Sequence, residues 1–348
     1  MTTTRPTVRG FGGAVAAGHH LAAQIGAQQL ASGGNAADAA CAMGFALWVL
    51  EPTQNGPGGE VPILVRDARR DRVFAVSGQG PAPAAATIER VRAEGFDLLP
   101  VDGLISACVP GALDAWCRLL EEFGTRRLDD VIAPARALAE RGFPMYPFLR
   151  ALIELVAPRF ERSWPTSAAI YLPLRAVGER QTNAPLARWL ASLCEAERAA
   201  GGSREVGIRA ARDSFYRGAD AEAIERFARI PVRDVSRSKH AGLMTAEDLA
   251  RYAGAVEDPL SVPYRGARVW KCQRSTRPAP TRSTCGSRPR SSPSPIATRA
   301  MAIRASRTCR SRRCCRANMP RSGVRSWIAR RRPSRCGPGS GGCRRVGR

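Results

Sequence analysis

Histidine is scarce: three in 348 residues. That leaves little room for metal chemistry or for a histidine-activated nucleophile. His19 and His20 are adjacent, and neighbours on a helix point about 100° apart, so the two cannot close on one ion. They read as surface or hydrogen-bonded helical histidines, and His240 stands alone. No HExxH sequence occurs, and the first 272 residues hold no zinc-type Cys/His spacing. A GxxxxGK[ST] phosphate loop is also missing. No apolar run reaches the roughly 18 residues of a membrane-spanning helix. The opening MTTTRPTVRGFGG lacks the apolar core of a signal peptide. The expectation is a cytoplasmic chain with no membrane partner, no metal site and no cofactor. No segment repeats.

Acidic residues are absent from the final stretch. Residues 273–348 hold 21 arginines but no lysine, aspartate or glutamate. Of the 54 basic residues in the chain, 33 therefore precede them, against 30 acidic ones, so most of the net charge of +24 belongs to the tail. Two regions follow: 1–272, an ordinary near-neutral globular sequence, and 273–348, an Arg-rich aberrant tail. The tail's Arg, Ser, Pro, Cys, Gly and Ala cannot bury enough apolar surface to offset chain entropy, so disorder is expected there. It has one aromatic, Trp327, too few for base stacking. Arginine–phosphate attraction is its one route to nucleic acid. Cys41, Cys108, Cys117 and Cys194 fall in apolar helical patterns and are expected as small buried residues in a reducing compartment. Cys272 and the six tail cysteines fit no metal spacing.

The stretch that organises the rest runs from Gly33 to Val65, GGNAADAACAMGFALWVLEPTQNGPGGEVPILV. Ala14 to Ala31 reads as a helix closed by Ser32-Gly33-Gly34. Asn35 is a candidate N-cap, with Asp38 three residues on. The helix it opens, Ala36 to Leu50, is apolar nearly all round and so is expected to be buried on both sides. Glu51-Pro52 stops it. The following Asn55-Gly56-Pro57-Gly58-Gly59 is too glycine-rich for regular structure. Its amides could form an anion-binding nest, or the loop could be a tight turn with close backbone packing. Strands are predicted at Val61–Val65 and Val73–Val76.

Downstream, helices are predicted at Thr87–Ala93, to Phe123 from a Cys108-Val109-Pro110-Gly111 opening, at Leu128–Arg141 and at Pro147–Val156. Residues 163–182, with Pro165 and Pro173, read as a loop. Further helices are predicted at Leu186–Ala199, Ser203–Arg217 and Glu222–Arg229. A capping box at Thr245 opens a short helix to Tyr252, and two short strands flank Arg265-Gly266.

The blocks GGNAADAACAMGFALWVLEP, NGPGGEVPILVRD, SGQGPAPAAAT, ACVPGALDAWCRLLEEFGT, LDDVIAPARALAERGFPMYP and GLMTAEDLARYAGAVEDPLSVPYRGARVWKC together resemble the γ-glutamyltranspeptidase family, in family order across most of residues 13–272. The resemblance implies an α/β (α+β) architecture, the αββα sandwich of an N-terminal-nucleophile hydrolase. It also implies a precursor that cleaves itself into large and small subunits. The small subunit's new N-terminal Thr then attacks a γ-glutamyl or related acyl amide, with its own amine as base. Substrate-binding positions carried over are Gln79, Asn55, Gly58 and Gly59.

Two departures qualify the resemblance. Residues 1–272 correspond to large-subunit sequence, with no counterpart of the Thr or of the oxyanion-hole glycine pair, so no catalytic residue is assigned. The Arg that holds the substrate α-carboxylate in the family is replaced by Gln79, which cannot make a bidentate charge-assisted clamp. A different acyl amide, as in the family's acylase-like branches, fits that change. The tail itself reads as out-of-frame translation: shifted by one base, suitable codons for Thr308–Cys315 give DVPLAALL, a family-like segment. The alternative is a pseudoenzyme or binding module whose Arg-rich tail contacts nucleic acid.

Overall fold

Asn35 sets the start of the helix around which the others pack. In the computed structural model, which describes residues 10–272, its side chain accepts from the amides of Ala37 and Asp38. In return, Asp38 Oδ2 accepts from the Asn35 amide at 2.8 Å. This is the capping box predicted from sequence. The described residues all fall in one compact unit. The expected disorder, nucleic-acid contact and frameshift of the tail concern residues outside those described.

The elements run in chain order as α1 (His20–Ala31), α2 (Ala36–Leu50), β1 (Ile63–Asp67), β2 (Arg72–Val76), α3 (Ile88–Ala93), α4 (Ala112–Phe123), α5 (Leu128–Arg141), β3 (Phe143–Pro144), α6 (Pro147–Ser163), α7 (Pro165–Tyr171) and β4 (Arg180–Gln181). They continue as α8 (Ala184–Ala200), α9 (Arg204–Tyr216), α10 (Ala219–Ala228), β5 (Val232–Arg233), β6 (Lys239–His240), α11 (Ala246–Arg251), β7 (Val256–Glu257), β8 (Leu260–Tyr264) and β9 (Ala267–Lys271).

Helix α2 packs against α1, α5 and α4, and 11 of its 15 residues are buried, as its unbroken apolar surface requires. Close approach explains Gly44, where a Cβ would sit 2.4 Å from the Trp116 ring of α4. Core packing then extends from α5 through α8 to α9, which returns to α4. Helix ends inside this core need partners for their free amides, and buried carboxylates supply them. Asp38 accepts from the Thr125 and Arg126 amides beyond α4. Glu197 of α8 accepts from the Leu128 and Asp129 amides at 2.9 and 2.8 Å, closing the start of α5.

Strands β1 and β2 form an antiparallel pair, with Val65 opposite Phe74, and β7 joins β2 with Val256 opposite Val76. The other strands form two-stranded pairs, of which β8–β9 is the longest. The architecture is α+β, and its largest sheet among the described residues has three strands.

Three expectations need correction. The first helix starts at His20, not Ala14: His19 is extended, and its Nδ1 accepts from the Leu21 amide as the N-cap. Helix α6 continues past Val156 to Ser163, through Pro158. The stretch expected as loop contains α7. Pro165 opens that helix at its first turn, where a missing N–H costs no bond.

Candidate functional site

Helix α2 delivers the chain to the glycine loop. Three donors converge on the Glu51 carbonyl: the Gln54 amide at 3.0 Å, the Asn55 amide at 3.3 Å and the Asn55 side-chain amide at 3.1 Å. Asn55 is thereby spent on closing the end of α2. The Gly59 amide donates to Gly56 O at 3.0 Å, making a turn, and Gly59 O accepts from the Gly111 and Ala112 amides at 3.0 and 3.1 Å. The loop therefore caps the start of α4. Gly56, Gly58 and Gly59 all keep negative φ, so the αR–αL alternation of an anion nest is absent. The turn is present, but a Cβ on Gly56 or Gly58 would meet nothing within 4 Å, so the expected close backbone packing is not found there.

Gln79 sits on the segment leaving β2. Gly78 O accepts from the Val61 amide and Pro81 O from the Val109 amide, each at 3.0 Å. A Cβ on Gly78 would lie 2.2 Å from Val61 O, and one on Gly80 only 1.7 Å from Val109 O. Gln79 is thus held between two positions that only glycine can occupy. It is half-buried.

The loop before α4 is fixed by a buried polar cluster that the sequence did not single out. Tyr216 of α9 donates its hydroxyl to Pro110 O at 2.8 Å and accepts from the Asp114 amide at 3.2 Å. Asp114 is fully buried. Its Oδ2 accepts from Arg118 Nε at 2.6 Å and from the Gly254 amide at 3.0 Å, and its Oδ1 lies 3.4 Å from an Arg212 nitrogen. Burial, with the Asp114 charge beside it, pushes the Tyr216 hydroxyl pKa far up, so this hydroxyl stays a neutral donor.

These fixed segments border a cleft of about 500 Å³. Pro57 and Gly58 of the glycine loop line it beside Cys108. Trp189 (α8), Phe215 (α9) and Phe227 (α10) give it aromatic surface. Of the predicted site residues, Gly58 lines this cleft; Asn55, Gly59 and Gln79 do not. Cys108 is exposed here, unlike the buried residue expected, because it lies on the loop before α4 rather than inside a helix. Among the described residues, no group of three or more His, Cys, Asp or Glu could hold a metal, and no helix is long and apolar enough to cross a membrane.

Residues 22–279 match the sequence model of the Gamma-glutamyltranspeptidase family. The chain belongs to that family. It is 30% identical over 266 residues to the glutathione hydrolase proenzyme of Bacillus subtilis, a match covering 75% of this chain and 41% of the relative. It is 32% identical over 280 residues to the acylase ACY 1 proenzyme of Pseudomonas sp. strain SE83, covering 77% of this chain and 46% of that one. The solved structure of LmbA2991HD superposes with a TM-score of 0.74 at 42% identity, over 78% of this chain and 47% of that one. The chain thus spans under half the length of these family members. The α+β fold of the N-terminal-nucleophile hydrolase type, expected from the sequence blocks, is the fold of the family.

The residues that line the cleft come from α8, α9 and α10 as well as the loops. Nothing in their spacing marks them, since they meet only after the helices pack.

Proposed function

We propose that residues 10–272 form the large-subunit portion of an amide hydrolase or acyltransferase of the γ-glutamyltranspeptidase family, inactive without a small subunit. One observation carries this reading: glutathione hydrolase and acylase proenzymes match 75% and 77% of this chain, and the match covers only 41–46% of their length. The family chemistry needs an N-terminal Thr. Its hydroxyl oxygen bonds to the amide carbonyl while its amine takes the hydroxyl proton. The C–N bond then breaks, the leaving amine is protonated, and water or a second amine releases the acyl group. This chain carries no counterpart of that Thr, so it contributes walls and not the nucleophile. The exposed hairpin β8–β9, with Val262 and Tyr264 each 59% exposed, suits a surface that further strands would cover, since a lone two-stranded ribbon is marginal in water.

The acyl group is a non-glutamyl one. Gln79 stands where the resemblance expects Arg, and losing a charged clamp on an α-carboxylate costs about 2–3 kcal/mol. The test is hydrolysis of two p-nitroanilides, one γ-glutamyl and one with an acyl group that lacks the α-carboxylate, with the full chain alone and after co-expression with a Thr-headed small subunit of a family member; the complex should favour the second. The expected result is no p-nitroaniline from the chain alone and acyl-amide turnover only in the complex. Turnover by the chain alone, with self-cleavage on a gel, would overturn the reading.

A further inference from the structure

We propose that the cleft is a binding site for an organic ammonium ion with an apolar body, held by Asp220 against aromatic walls. The inference goes beyond the acyl-transfer reading and does not rest on it.

Asp220 is the one charged residue lining the cleft. It sits in the first turn of α10, where a carboxylate answers the partial positive charge of the helix start, a role Glu222 shares. Its Oδ2 accepts from the Trp189 indole N–H at 2.9 Å. That bond aims the carboxylate along the aromatic wall. Asp220 makes no ion pair among the described residues, although 19 ion pairs tie up acids elsewhere. This half-buried carboxylate beside an apolar cavity has the helix start and one N–H bond but no cation, so an arriving ammonium would add an opposite charge that no neighbour supplies.

The walls favour the same ligand. Trp189 and Phe215 meet edge to face with ring centroids 5.7 Å apart, and Phe227 is 41% exposed on α10. Aromatic faces attract a desolvated ammonium, and a carboxylate fixes its position. An anionic ligand meets the opposite conditions, with Asp220 repelling it and no Lys or Arg in the lining to hold it. A volume of about 500 Å³ accommodates a phenylalkyl amine.

The experiment is isothermal titration of the full-length chain with phenylbutylamine, phenylbutanol and phenylbutanoate, which share the apolar body and differ in charge. The amine should bind about tenfold more tightly than the alcohol, and the carboxylate more weakly than either. Asp220→Asn should bring the amine down to the alcohol's affinity and leave the alcohol unchanged. Circular dichroism verifies that this variant is folded, and the charge preference of the parent chain needs no variant. Equal binding of amine and carboxylate, an amine preference that survives in folded Asp220→Asn, or no binding by folded parent chain at millimolar amine would each overturn the proposal.

Discussion

Asp38→Asn tests whether a buried carboxylate, rather than apolar contact alone, joins α2 to the rest of the core. Asp38 is fully buried and accepts four bonds. Oδ1 receives the Thr125 amide at 2.8 Å and the Arg126 amide at 3.0 Å. Oδ2 receives the Asn35 amide at 2.8 Å and the Thr125 hydroxyl at 2.7 Å. Asparagine keeps the shape and the first pair, but its NH₂ would face the Asn35 amide donor at the second, the Thr125 hydroxyl would have to turn to accept, and all four bonds lose the charge. Bonds to a charged group contribute about 1.5 kcal/mol or more each, so the loss should be about 3 kcal/mol. For a domain of this size that lowers Tm by about 6–12 °C, read by calorimetry or urea titration.

A second readout concerns acid. Burial alone would raise the Asp38 pKa, but the bonds from Asn35, Arg126 and Thr125 outweigh it and hold the folded value below the ordinary aspartate range. The unfolded group titrates near about 3.9. Its stabilisation is therefore complete above that pH and is lost as the pH falls through the folded pKa. Asp38→Asn should flatten this part of the acid slope. A variant within about 1 kcal/mol of the parent, with the acid slope unchanged, would refute the reasoning.

Two further predictions separate backbone constraint from open space and buried thiols from exposed ones. Gly80→Ala should cost about 3 kcal/mol or more in urea unfolding, since its Cβ would meet a carbonyl oxygen at 1.7 Å, whereas Gly58→Ala, with nothing within 4 Å, should change stability by under about 0.5 kcal/mol. Iodoacetamide on the native chain, mapped by mass spectrometry, should modify Cys108 well before Cys41, Cys117 and Cys194: burial pushes all three buried thiol pKa values up, that of Cys194 to about 12.

Legibility in the sequence followed the range of the interaction. The capping boxes at Asn35 and Thr245 formed as written, because each is closed within four residues. Helix α5 matched its predicted bounds, with Gly142 at φ +84° ending it. Prediction failed where one residue type serves two purposes. Pro165, a loop marker by residue type, starts a helix, and His19, within a helical pattern, caps one instead. The cleft was out of reach for a different reason. Asp220 reads as an N-terminal helix acid, and only the packing of α8 against α9 and α10 brings Trp189 to it. The glycine loop lay between these cases: its turn could be read, but the use of Gly59 O to cap α4 depended on a partner some 50 residues away.

The helical and strand parts of the chain differ in how completely they satisfy themselves. In the helical core, the buried carboxylates of Asp38, Asp114 and Glu197 all engage backbone amides, and the apolar side chains between them form one cluster from α1 to α11. Each such carboxylate would be costly if unpaired, so its bonds fix the helices in one arrangement. Among the described strands only the β5–β6 turn has an equivalent, the buried Asp234, which accepts from the Ser236 amide and pairs with His240; β1–β2 and β8–β9 have none. Edge strand β1 leaves Leu64 43% exposed, and β8–β9 exposes Leu260, Val262, Tyr264 and Val269. A sheet edge with apolar side chains invites further pairing. The helices therefore hold the glycine loop and the cleft in place by themselves, whereas the sheet side is where added strands would change the protein most. The proposed ammonium site lies wholly within the part that the helices, and the loops they fix, already close.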